Sequence, residues 1–296
     1  MLTKAILPLL SLLPSSTFAN PTYINGSSIG EAETLWPSQW IHTSQNATLR
    51  VLVQGNPSGP AITIFPSLKR DSGLDFDNLT LSLASSGWLV LRPQPRGILG
   101  SIGPMTNITQ EDLTKDYIDV INALASNGKS FLLGHAAGAG TAQQIALAYP
   151  NQTLGVIFAA KASANAPANV TATALIASNL TSSDSERLAA LERGFFAPGN
   201  NAGVWLDGFW ENMPAATKSN STGSSKIVED VKILEIIAKE DPFRPTSSYS
   251  EMVDVAFPGQ VYQVFVEGAS HALFPEQPEK VAEAVLGWLE KQVGRK

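Results

Sequence analysis

The sequence predicts a doubly wound, mostly parallel α/β sheet interrupted by one helical insertion. Three observations carry that expectation. Short buried apolar runs alternate with helix-length stretches from Ala61 to Ala159. The rhythm stops after Lys161 and resumes near Val231. Between them, Phe131-Leu132-Leu133 runs into Gly134-His135-Ala136-Ala137-Gly138, where one glycine ends a strand and the next opens a small-residue helix.

The elements follow in order. Residues 20–46 are polar and turn-rich and read as a lead-in arm. Leu49, Val51 and Val53 alternate with Arg50, Leu52 and Gln54, the period of an edge strand. Asn56–Pro60 is turn chemistry, and Ala61–Phe65 is the first buried parallel strand. A helix over Phe76–Ser85 leads to a strand at Trp88–Arg92. Glu111–Ser126 then sets Leu113, Tyr117, Val120 and Leu124 on one helical face. The strand at Phe131 is followed by a helix over Ala137–Tyr149, closed by Pro150, and by a strand over Leu154–Ala159.

Residues 161–226 are rich in Ala, Asn, Ser and Thr and read as a mostly helical cap over the sheet's carboxyl edge. Their aromatic residues Phe195, Phe196, Trp205, Phe209 and Trp210 suit either the core of such a subdomain or a surface turned toward a site. Strands over Val231–Ala238 and Val261–Val266 and a closing helix over Pro278–Gln292 complete the chain. The organisation implied is a signal segment over 1–19, a core over 20–160 and 227–296, and a cap over 161–226.

Composition narrows the function classes. A hydrophobic fraction of 44% supplies a full core, and a net charge of −6 without a basic run argues against nucleic acid as a partner. Lys4, the apolar run Ala5–Leu13 and Thr17-Phe18-Ala19 have the layout of a cleavable secretory signal. That run is too short to span a bilayer, so no stable membrane anchor is expected. Eight Asn-x-Ser/Thr sequons fall at Asn25, Asn46, Asn78, Asn107, Asn151, Asn169, Asn179 and Asn220, where chance would give about 2.6. The protein is expected to be secreted, or in the secretory lumen, and glycosylated at these positions. The absence of cysteine removes disulfides, a thiolate nucleophile and cysteine metal ligands. Neither a metal nor a cofactor is expected.

The Gly134–Gly138 segment has the strand–turn–helix setting of the nucleophile elbow Gly-x-Ser-x-Gly, with Ala136 at the nucleophile position. Further segments extend the likeness: Phe65–Asp71, Gln94–Gly97, Phe195–Asn200, Val204–Gly208 and His271–Pro278. On these residues the chain resembles the α/β-hydrolase superfamily over nearly its whole mature length. It is most similar to a branch whose elbow reads Gly-His-Ala-Phe-Gly. Ala137 departs from that branch, which carries Phe there, and leaves more room beside the missing nucleophile. The resemblance implies that Ala136 is native.

It also implies roles. In this fold the triad runs nucleophile, acid, base, each on a loop at a strand's carboxyl end. Ala136, Asp241 and His271 stand in that order and at those places. Asp241 would fix the imidazole tautomer and leave the other ring nitrogen of His271 as a base. Backbone N–H groups of Ala137 and of Leu68, or Ser67 beside it, would form the oxyanion hole. His135 reads as a structural elbow residue. With Ser67, Trp205, Phe209 and Trp210 it makes up the expected substrate pocket.

Two function classes follow. One is an enzyme using the Asp241–His271 dyad as a general base on a small ester, lactone or enolisable carbonyl, by hydrolysis, lyase or cyclisation chemistry; proton transfer of this kind is worth about 10²–10⁴-fold. The other is an inactive relative that binds a small hydrophobic ligand or a protein partner. A serine nucleophile supplied from elsewhere, with Ser67 the nearest, is a third arrangement.

Overall fold

The computed structural model describes residues 37–214, 216–217, 227 and 230–294. The signal-like segment, Asn25, Asn220 and the Ser219–Ser225 stretch lie outside these residues.

The strands are β1 (Ser38–His42), β2 (Thr48–Gly55), β3 (Ala61–Phe65), β4 (Leu89–Pro93), β5 (Ile108–Thr109), β6 (Ser130–His135), β7 (Thr153–Ala159), β8 (Ala216–Thr217), β9 (Ile233–Ala238) and β10 (Val261–Val266). Among the described residues eight of them make one sheet, in the order β1-β2-β4-β3-β6-β7-β9-β10. The β1–β2 and β2–β4 pairs are antiparallel, and every other pair in this sheet is parallel. The helices are α1 (Asp77–Ser85), α2 (Gln110–Leu124), α3 (Ala137–Ala148), α4 (Ala168–Ala177), α5 (Asp184–Gly194), α6 (Leu273–Glu276) and α7 (Pro278–Gln292). The doubly wound, mostly parallel sheet expected from the sequence is present.

The period of two along each central strand divides the core between two faces. Leu132, Val156 and Phe158 pack with Val120 and Ile121 of α2 and Ala142 and Ile145 of α3. Leu133, Ile157 and Ile236 pack on the opposite face with Leu79 and Leu83 of α1 and Val281, Val285 and Leu289 of α7. Helix α2 starts at a capping box: Thr109 accepts from the Asp112 N–H, and the Asp112 carboxylate accepts from the Thr109 N–H.

Two expectations about the first strands need correcting. β2 is not an edge strand, because it lies between β1 and β4. Leu52, assigned to its polar face, is buried, and so is Arg50, so both faces are covered. The edge is β1, inside the stretch expected to be a lead-in arm. Its residues Ser38-Gln39-Trp40-Ile41-His42 carry no apolar alternation that would mark them as a strand.

The segment between β7 and β9 holds α4, α5, a 3₁₀ turn over Ala202–Trp205 and β8, which pairs with β5. α5 is opened by a second capping box, Ser183 with Glu186. A third apolar cluster joins Leu191, Phe195, Phe196, Trp205 and Phe209 of this segment to Phe243 and Ala272 of the following strand loops.

Candidate functional site

The elbow sits where β6 meets α3. A Cβ on Gly134 would collide with the Gly138 carbonyl and the Ala139 Cα, and one on Gly138 would collide with the Phe65 and Pro66 carbonyls. Only glycine permits that approach of helix to strand. Ala136 caps α3 at φ 51° and ψ −112°, a conformation disfavoured for a side chain and typical of strain held at a site. Neither the Ala137 N–H, first in the helix, nor the Leu68 N–H has a hydrogen-bond partner among the described residues.

Asp241 follows β9 and His271 follows β10, on adjacent parallel strands. His271 Nδ1 lies 2.9 Å from Asp241 Oδ2, and Asp241 Oδ1 accepts from the Phe243 N–H at 2.8 Å. The acceptor-only carboxylate places the proton on Nδ1, so the neutral ring presents a bare, basic Nε2. The Phe243 ring lies tilted over the imidazole at 4.3 Å, and Phe195 meets it edge-on at 5.4 Å.

Glu276 locks the base loop to the segment after α5. Its Oε1 accepts from the Ala197 N–H and the Asn200 side-chain amide, both at 2.6 Å, and its Oε2 accepts from the Ser270 N–H at 2.6 Å. The Ala272 N–H donates to the Phe195 carbonyl at 2.8 Å. Burial raises the Glu276 pKa against these three donors.

Arg70 fastens the other side. Its guanidinium lies over the Trp205 ring at 4.2 Å and the Phe209 ring at 4.7 Å. It pairs with Asp75 at 2.9 Å and donates to the Asp207 carbonyl at 3.0 Å. The Trp205 indole N–H donates to Asp75, and the Trp210 indole N–H donates to Asp71.

Ala136, Ala137, Leu68, Ser67, His271, Trp205 and Phe209 line one cavity of about 360 Å³, at the lower end of the range for small-molecule sites. His135 and Trp210, expected in the pocket, do not line it. The His135 side chain turns into the core beneath the elbow, where Nε2 bonds the His271 carbonyl at 2.8 Å. Trp210 is spent on Asp71. The structure adds Phe195, Phe243, Lys161, Thr171 and Ala174 of helix α4, and Ser178 just past its end, to the lining. Lys161 had a signal in the sequence, since it stands just past the carboxyl end of a central strand. Those of α4 had none, because its composition gives no amphipathic stripe.

These observations meet the comparisons with known proteins. A model of the alpha/beta hydrolase family matches residues 51–284, and the chain belongs to that family. Among solved structures it is similar to naproxen esterase from Bacillus subtilis, at 18% identity and TM-score 0.69 over 88% of this chain and 94% of that one. A hydrolase from Pseudomonas aeruginosa aligns at 20% identity and TM-score 0.65, over 85% and 98%. Epoxide hydrolase A from Mycobacterium thermoresistibile aligns at 18% and 0.60, over 86% and 98%. At these identities the likeness is one of fold. No curated protein matches the sequence.

Proposed function

We propose that this protein is a hydrolase-fold enzyme that has dispensed with covalent catalysis and uses His271, held by Asp241, as a general base. The observation that carries the reading is the 2.9 Å Nδ1–Asp241 bond of an imidazole that lines the same cavity as Ala136. With a methyl at the nucleophile position, Nε2 takes its proton from a bound water or from a carbon acid of the substrate. The free Ala137 and Leu68 N–H groups donate to the developing oxyanion, whether of a tetrahedral adduct or an enolate. Small esters, lactones and enolisable carbonyl compounds fit this machinery and the cavity's size. Esterases and epoxide hydrolases are among the similar structures, which is compatible with ester chemistry and does not select it.

The test is turnover of a panel of activated esters, lactones and β-hydroxy carbonyl compounds by wild type, His271→Ala and Asp241→Asn. Loss of about 10²-fold or more in both variants, each with an unchanged circular dichroism spectrum, supports the dyad. Folded variants with wild-type rates would leave a ligand-binding relative as the better description.

The same reading places the protein in the secretory pathway with N-linked glycans. Support comes from the signal-like first nineteen residues, the sequon excess, and the exposure of all six described sequon asparagines. Enzymatic deglycosylation of protein secreted from a eukaryotic host, followed by mass measurement, tests it; an unchanged mass would refute the glycan assignment.

A further inference from the structure

The general-base reading leaves the substrate's charge open, and Lys161 addresses it. We infer that Lys161 is the anion-binding group of the cavity and that the physiological substrate carries a carboxylate. The inference rests on the cavity being the substrate site and adds its chemical class.

Lys161 follows β7 directly after Ala160, a buried residue held at φ 47°. A non-glycine residue in that conformation is uncommon and marks a turn maintained by its surroundings. The Ala160 N–H is pinned to the Ile236 carbonyl at 3.0 Å, and Ser163, two residues past Lys161, to the Phe243 carbonyl at 2.9 Å. The turn therefore delivers Lys161 to the cavity on a fixed backbone. There it is the one lysine or arginine among the described lining residues, and none of these carries a carboxylate.

The carboxylates whose charge acts on Lys161 are Glu235 and Glu251, and the direct partners of both are other residues. Arg244 binds Glu235 and Glu251 at 2.7 Å each, Gln263 donates to Glu235, and Ser163 donates to Glu251. Lys161 makes no ion pair or hydrogen bond with a described residue; its ammonium lies 5.5 Å from the Phe158 ring. A half-buried ammonium with no direct ion pair is costly: burial together with Arg244 lowers its pKa, and the charges of Glu235 and Glu251 offset this only in part. An incoming carboxylate would remove that cost by a charge-assisted hydrogen bond. Ser67, Thr171, Ser178 and His271 are the other polar lining residues, and the apolar part, with Ala136, Ala174, Phe195, Trp205, Phe209 and Phe243, suits an apolar body. A small organic acid derivative, with the reacting carbonyl at the elbow and the carboxylate at Lys161, satisfies both halves of the cavity.

The experiment is calorimetric titration of the folded protein with hexanoate and with the isosteric neutral hexanamide. It uses wild type, Lys161→Met, Lys161→Arg and His271→Asn, with thermal melting as the fold control. Because binding is read without turnover, the result is independent of whether His271 is a base. Wild type is expected to prefer hexanoate by tenfold or more, Lys161→Met to lose the preference with hexanamide affinity within twofold of wild type, and Lys161→Arg to keep it. The inference is overturned by equal binding of the two probes, by binding of neither, or by a preference that survives Lys161→Met and disappears in His271→Asn.

Discussion

His135 Nε2 lies 2.8 Å from the backbone carbonyl of His271, so the elbow itself holds the base loop from below. The carbonyl can only accept, which fixes the Nε2–H form of His135. Trp205, Phe274 and Phe76 surround the ring, and burial, with His271 beside it, pushes its pKa down to about 3. In the unfolded chain it titrates near 6.5, so between these values the unfolded state binds the extra proton. This contribution to stability is complete above pH 6.5 and is lost as pH falls toward 3, by an amount on the order of 5 kcal/mol. Burial raises the pKa of Asp71 and Glu276, and their contributions run the opposite way, but they are common to wild type and variant. Urea unfolding of wild type and His135→Gln from pH 7 to pH 4 isolates the histidine. The gap between the curves is expected to shrink as pH falls; parallel curves would contradict the assignment.

Glu276 is the second restraint on the base. Glu276→Ala would strand the Ala197, Asn200 and Ser270 donors and free both the loop of His271 and the Phe195–Asn200 segment. A destabilisation of about 2–4 kcal/mol is expected, with turnover reduced beyond what the fraction folded explains. Glu276→Gln retains one acceptor oxygen and should recover part of both. Denaturant melts with activity measured on the same samples check this, and an unchanged midpoint for Glu276→Ala would refute it.

Arg70 is expected to discriminate against lysine. A point charge cannot reach both the Trp205 and Phe209 rings while bonding Asp75 and the Asp207 carbonyl as the forked guanidinium does. Arg70→Lys should cost about 1–3 kcal/mol, and Arg70→Ala about 3–5, since the latter leaves the partly buried Asp75 carboxylate without its cation, held only by the Trp205 indole N–H. Thermal unfolding supplies the measurement. Equal stability of wild type and Arg70→Lys would show that the stack contributes nothing.

The parts of this molecule legible in the sequence are those where one physical requirement dominates. The glycines at 134 and 138, the apolar runs of β3, β6, β7 and β9, and the stripe of α7 each answer to a single demand of packing. Asp241 and His271 were readable because topology, not local pattern, specifies them. β1 escaped because edge pairing needs only backbone donors and acceptors, which any residue supplies. His135 was assigned to the pocket as the neighbour of Ala136 and Trp210 as a member of the aromatic cluster, whereas His135 bonds the His271 carbonyl and Trp210 donates to Asp71. Glu276 was visible as part of a motif, but its three long-range donors were not.

The central claim is that His271 faces Ala136 as a working base, and restoring the missing oxygen tests it most directly. Ala136→Ser adds one hydroxyl at a turn already in the conformation of an elbow, with the base in the same cavity. The variant and Ala136→Ser/His271→Ala would be mixed with p-nitrophenyl acetate, with p-nitrophenol release followed by stopped flow and the protein by intact mass. The account predicts a stoichiometric burst and one acetyl group on Ser at position 136 of the single variant, with neither in the double variant. A folded Ala136→Ser protein that gives no burst and no acylation would contradict it.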